Sequence, residues 1–124
     1  NGDLPSHQIA QTDRALAFMD INPATRGHAL VIPKQHVADL AEIEPDELAH
    51  CTLLAQDVAR RALGRLGADG VNLVNACGTA AWQTVFHFHI HVVPRYAGKD
   101  GLQMPWIPTP GDPAQIAEAA RVLR

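Results

Sequence analysis

An α+β fold with a five-stranded, mainly antiparallel sheet, one long helix and one C-terminal helix is what the order of patterns along this chain predicts. Three observations carry the prediction. Short apolar segments with strand character open the chain and return after residue 69. Between them lies one long segment whose apolar residues recur at spacings of three and four. A second helical pattern closes the chain after a proline-rich run.

Taken in order, "NGDLPSHQIAQTDRALAFMDINP" reads as two short strands, about 7–11 and 15–20, turned by "TDR" and closed by Asn22-Pro23. "GHALVIPK" is a third strand with Pro33 as its terminator, because proline cannot donate to a central ladder. Three strands so close in sequence favour an antiparallel meander. "EPDELAHCTLLAQDVARRALGRLG" is the long helix. Leu48, Cys51, Ala55, Val58, Ala62 and Leu66 form its apolar stripe, Pro45 suits the first turn and Gly67 the stop. Asp46 and Glu47 at its start and Arg60, Arg61 and Arg65 near its end match the helix dipole. "GVNLVNA" is a fourth strand, "CGTAAWQT" a loop, and "VFHFHIHVV" a fifth strand that Pro94 ends. "MPWIPTPGDP" is too rich in proline for regular structure and leads into a last helix at about 113–123.

A length of 124 residues and an apolar fraction of 47 % suit one domain with one core. A net charge of −3 gives no basic footprint for nucleic acid. No apolar run approaches a bilayer span and no signal peptide is visible, so a cytoplasmic location is the expectation. Cys51 and Cys77 make neither a disulfide framework nor a metal knuckle. Cys51 lies on the buried stripe, where a free thiol behaves as a small hydrophobe.

The chemistry concentrates in "HFHIH". On a strand His87, His89 and His91 share one face at a pitch of about 6.5 to 7 Å, and Phe88 and Ile90 anchor the other. A metal could use two imidazoles at i and i+2, but His91 lies at twice the pitch from His87, and the stretch from Val85 to Tyr96 holds no carboxylate. The stronger reading is a central imidazole that attacks phosphorus. That chemistry needs hydrogen-bond donors around the phosphoryl oxygens, and Asn75, Gln83, Thr84 and His91 are such groups nearby in sequence.

"QTVFHFHIHVVPR" resembles the signature of the histidine triad (HIT) family, three histidines alternating with apolar residues. "LAFMDINPATRGHALVIPKQH" is similar to the family's first half and "NGDLPS" to its opening segment, so the likeness runs to Arg95. The resemblance, to the bacterial Hint-like branch, implies one HIT domain over 1–124 with 102–124 as tail and helix, and a homodimer joined through the long helix and the fourth strand. It implies an enzyme acting on the α-phosphate of purine nucleotides through a nucleotidyl-His89 intermediate. His91 would bind the phosphate, His87 would support the row from its end, and His28 would stand near the nucleophile. Asn75, Gln83 and Thr84 match the phosphate-side donors, Asp20 the ribose carboxylate, and Leu4, Phe18, Ile21 and Leu30 the purine slot. Expected substrates are nucleoside phosphoramidates, adenylated amines or dinucleoside polyphosphates, with no cofactor needed for catalysis. A nucleotide-binding regulatory module that works through a partner is the alternative.

Two departures stand out. Trp82 occupies a position where the family often has Gly, and the loop from Asn75 to Gln83 is one residue longer than in the Hint-like branch, which puts the leaving-group side in question. Many bacterial relatives also carry a Cys-x-x-Cys ahead of the opening segment, binding a structural zinc with histidines that match His36 and His87. The sequence starts inside that opening segment, as a trimmed chain would, and the zinc is an expectation for the longer protein.

Overall fold

The computed structural model describes residues 7–124. Leu4 and the rest of "NGDLPS" lie outside the described residues. Strands β1 (Gln8–Gln11), β2 (Ala15–Met19) and β3 (Ala29–Pro33) precede helix α1 (Pro45–Arg65); β4 (Gly70–Val74), β5 (Ile90–Arg95) and helix α2 (Pro113–Leu123) follow. The five strands form one antiparallel sheet in the order β1-β2-β3-β5-β4. The strands of the opening meander are each four or five residues long, as the closely spaced turn residues require.

One face of the sheet packs on α1. Ala15 and Ala17 of β2, Ala29 and Val31 of β3, and Ile90 and Val92 of β5 meet Cys51, Leu54, Ala55 and Val58, with Phe88 completing the core. Small alanines on β2 and β3 let the helix approach closely. Leu54, absent from the predicted stripe, is buried, while Leu48 is half-buried and Leu66 caps the helix in a half-buried position. Burial pushes the Cys51 thiol up to about 11, with Glu47 adding to the shift, so it is an inert core residue at neutral pH. Arg14 binds the Glu47 carboxylate and ties the β1–β2 turn to the first turn of α1.

Two strand boundaries differ from expectation. The histidine segment alternates as predicted, with Phe88, Ile90 and Val92 buried, but the ladder begins only at Ile90. Pairing with β3 stops at Val31 opposite Ile90, although β3 runs on to Pro33, and pairing with β4 stops at Val74 opposite His91, so residues 85–89 lie outside the ladder. They are held by single bonds instead, such as Phe88 N–H to the Val37 carbonyl at 2.7 Å. At the other end β5 runs through Pro94 to Arg95. Pairing with β3 stops at Val92, so Pro94 faces only β4 and its missing N–H leaves no gap in the ladder.

The turn from Asp20 to His28 is braced from several sides. Asp20 N–H donates to the His28 carbonyl at 3.0 Å, Thr25 Oγ1 to the Pro94 carbonyl at 2.7 Å, and Tyr96 OH to the Arg26 carbonyl at 2.7 Å. Gly27 has φ +88, and a Cβ there would press into Leu66 Cδ1 and Pro94 Cγ. Gly27→Ala should therefore lower stability by about 2 kcal/mol, seen as a drop in the urea midpoint. An unchanged midpoint would show that the turn can relax without cost.

Candidate active site

The site forms where the sheet ladder gives out. His91 lies opposite Leu30 of β3 and Val74 of β4. His28, two residues before Leu30, is therefore its diagonal neighbour on the same face of the sheet. The His28 and His91 rings are 5.1 Å apart between centroids, and His89 and His91 are 5.0 Å apart. His28 is buried, while His89 and His91 are half-buried.

Backbone partners settle which ring nitrogens carry protons. Ala24 N–H donates to His28 Nδ1 at 2.9 Å, so the His28 proton sits on Nε2. His28 Nε2–H in turn donates to His91 Nδ1 at 2.9 Å, which leaves the His91 proton on Nε2. His89 Nδ1 is 2.7 Å from the His87 carbonyl, an acceptor only, so Nδ1 carries the proton and Nε2 keeps a free lone pair. His87 likewise donates Nε2–H to the Pro33 carbonyl at 3.1 Å. The row thus presents two bare nitrogens, Nε2 of His89 and Nδ1 of His87, and one neutral N–H donor, on His91.

Protonation is opposed at the two deeper rings. Burial lowers the His28 pKa below its usual 6.5, partly offset by Asp20, whose Oδ2 is 3.5 Å from Nε2. Burial also lowers that of His91, with further depression from His89 and His28 against the pull of Asp20. Both are neutral at pH 7.

Asp20, His28 and His91 are close enough to suggest a metal site, since one ligand atom from each falls within 4.8 Å of the others. The proton pattern argues against it. A metal-binding histidine normally donates its other N–H outward. Here the Ala24 N–H points at His28 Nδ1, so a metal on Nε2 would require a doubly deprotonated ring.

A cavity of about 190 Å³ opens beside the row, lined by Phe18, Leu30, Ile32, Val85, His87 and His89. Phe18 and Leu30 stand in the slot as the sequence suggested. Ile21 does not line it; it lies 67 % exposed in the turn after β2. Ile32 was missed, although it follows Leu30 at the same-face spacing of two. Asp20 Oδ1 accepts the Asn22 N–H at 2.8 Å, and its remaining lone pairs face the site alongside His28. Asn75 Nδ2 donates to the His89 carbonyl at 2.8 Å and so clamps the backbone of His89. Its Oδ1 is buried without a partner among the described residues.

Gln83 corrects the expectation of a phosphate-side donor. It is buried, its Oε1 accepts Gly78 N–H at 2.7 Å, and its Nε2 donates to the Ala38 and Val85 carbonyls at 2.9 and 3.1 Å. Both donors are taken up by backbone carbonyls, one of them between β3 and α1, so Gln83 ties its loop to that segment. Thr84 is exposed, and its hydroxyl remains available.

Fold and site together define a class: an α+β protein that presents a bare imidazole nitrogen and a neutral imidazole donor beside an apolar slot. The HIT domain model matches residues 1–98. An adenosine 5'-monophosphoramidase of Schizosaccharomyces pombe is 36 % identical over 115 residues, covering 93 % of this chain and 84 % of that protein. A crystal structure of a HIT family member from Bacillus subtilis superposes with a TM-score of 0.88 at 31 % identity, covering 98 % of this chain and 88 % of the other. A zinc-bound histidine triad family protein from Mycobacterium smegmatis gives 0.77 at 44 % identity, with coverage of 87 % and 78 %. The chain belongs to the HIT family.

The lowered pKa values carry a sign for stability. A histidine whose folded pKa lies below 6.5 binds fewer protons than in the unfolded chain, so its contribution is complete above 6.5 and is lost as pH falls through the folded value. The urea midpoint should fall between pH 7.5 and 5.5, and His28→Asn should flatten that slope. A wild-type midpoint constant across this window would contradict neutral burial of the pair.

Proposed function

We propose that this protein is a nucleotide hydrolase or transferase that works at the α-phosphate of purine nucleotides through a nucleotidyl-His89 intermediate. The observation that carries the reading is the free Nε2 lone pair of His89, exposed because its Nδ1–H is held by the His87 carbonyl. In the first step Nε2 forms a bond to phosphorus, and the bond from phosphorus to the leaving group breaks. The leaving group departs with the bonding pair and takes a proton from solvent. Water then attacks phosphorus and gives up a proton to solvent, the N–P bond breaks, and the imidazole regains its lone pair as the nucleotide is released.

Each neighbour has a task that its proton state allows. His91 offers Nε2–H to a phosphoryl oxygen without adding a charge that would repel a proton from its partners. Thr84 adds a hydroxyl donor. Asp20, an acceptor only, suits the ribose hydroxyls, and the slot beside Phe18 and Leu30 suits the flat apolar faces of a purine. Likeness to an adenosine 5'-monophosphoramidase over nearly the whole chain supports phosphoramidates and adenylated amines as substrates, with dinucleoside polyphosphates as the other class.

The same reading includes a homodimer. β4 is an edge strand whose Leu73 and Val74 are exposed, and Leu53 and Leu63 of α1 are exposed as well, surfaces suited to a self-complementary interface. It also includes a structural zinc. The His36 and His87 rings stand 4.9 Å apart, near enough for two ligands to one ion, with His87 Nδ1 as its unused nitrogen. The zinc-bound relative supports that assignment. Such an ion would fix the two rings and take no part in turnover.

His89→Ala should reduce hydrolysis of adenosine 5'-phosphoramidate to the uncatalysed background while AMP still binds by equilibrium dialysis; a variant with undiminished turnover would refute the mechanism. Brief exposure to EDTA should leave the wild-type rate unchanged, and a rate abolished by EDTA and restored by a divalent ion would favour metal-dependent hydrolysis instead.

A further inference from the structure

Trp82 is the one non-glycine residue among the described residues with a positive φ, at 74° with ψ 20°. That left-handed conformation is unfavourable for any bulky side chain and natural for glycine. The loop enforces it. Trp82 follows a 3₁₀ turn (Thr79–Ala81); its N–H donates to the Thr79 carbonyl at 3.0 Å, and Gln83 N–H donates to the Gly78 carbonyl at 3.1 Å. The buried Gln83 side chain pins the next residue from the other side. Yet the indole is 78 % exposed. The fold bears the cost of this residue and receives almost no packing from it.

Sheet order gives the indole a place relative to the chemistry. The apolar slot lies on the β2–β3 flank of the β5 entry, lined by Phe18, Leu30 and Ile32. The loop carrying Trp82 continues from β4, on the opposite flank, and is fastened to the His89 carbonyl through Asn75. An α-phosphate at His89 stands between its nucleoside and its leaving group. A nucleoside in the slot therefore directs the leaving group toward the β4 flank.

We propose that Trp82 is a specificity-determining residue, an aromatic platform on which a planar leaving group stacks during transfer. This rests on the reaction proposed above. The ligand class is an aromatic amine or a second nucleobase, for which a flat, exposed indole offers face area at little entropic cost.

The test compares two adenosine phosphoramidates matched in size and differing in flatness, the benzylamide and the cyclohexylmethylamide. In the wild type and in Trp82→Gly and Trp82→Phe, the quantity read is the ratio of kcat/KM for the flat substrate over the puckered one. Taking a ratio removes any general effect of the substitution on the loop. Glycine suits the backbone at this position, so W82G should fold with an unchanged or raised Tm. The ratio should drop about three- to tenfold in W82G and recover in W82F, the range expected for one stacked aromatic pair. Equal ratios in all three proteins would overturn the proposal. A second measurement does not need turnover. In His89→Ala combined with Trp106→Phe, Trp82 is the one remaining indole, since the chain has two tryptophans. Its fluorescence should be quenched by the intact benzylamide and not by AMP or the cyclohexylmethylamide. Quenching without wild-type turnover would sink the hydrolase reading and keep the platform; turnover without selective quenching would do the reverse.

Discussion

The hydrogen bond from the Ala24 amide to His28 Nδ1 sets the rest of the site. A backbone N–H can only donate, so this one contact fixes the His28 tautomer, and His28 then fixes that of His91. The His91 ring that results carries a neutral N–H donor on Nε2. The bracing of the Asp20–His28 turn by Thr25 and Tyr96 thereby becomes part of the site, since it holds the amide in register with the ring.

The second constraint is the end of the sheet. His91 lies within the paired ladder and is rigid for that reason. His87 and His89 lie just before it, where backbone carbonyls are free to accept from side chains. Outside the ladder, the His87 carbonyl accepts from the His89 ring and holds its Nδ1–H. The placement of His87 and His89 therefore depends on pairing with β3 stopping at Ile90 and pairing with β4 at His91.

This division also explains what could be read from the sequence. The alternation of Phe88, Ile90 and Val92 with the histidines is local and was legible, as were the helix stop at Gly67 and the start of α2 at Pro113. Where β5 begins was not, because it is decided by where pairing with β3 and β4 stops. The direction of Gln83 was hidden for a related reason. A glutamine beside a catalytic segment reads as a donor to the ligand, and only the tertiary position of Ala38 turns it inward. The pairing of His28 with His91 follows from the register of Leu30 on His91, across 63 residues of chain. Leu4 falls outside the described residues, and Ile21 is exposed in the turn after β2 and absent from the lining of the slot.

Proton positions on the imidazoles are the central claim, and they can be observed directly. Long-range 1H–15N correlation spectra of the uniformly 15N-labelled protein near pH 7.5 resolve which ring nitrogen is protonated in each histidine. The account predicts His89 with its proton on Nδ1, and His28 and His91 with theirs on Nε2. A His89 ring protonated on Nε2 would carry its lone pair on Nδ1, toward the His87 carbonyl, and would contradict it.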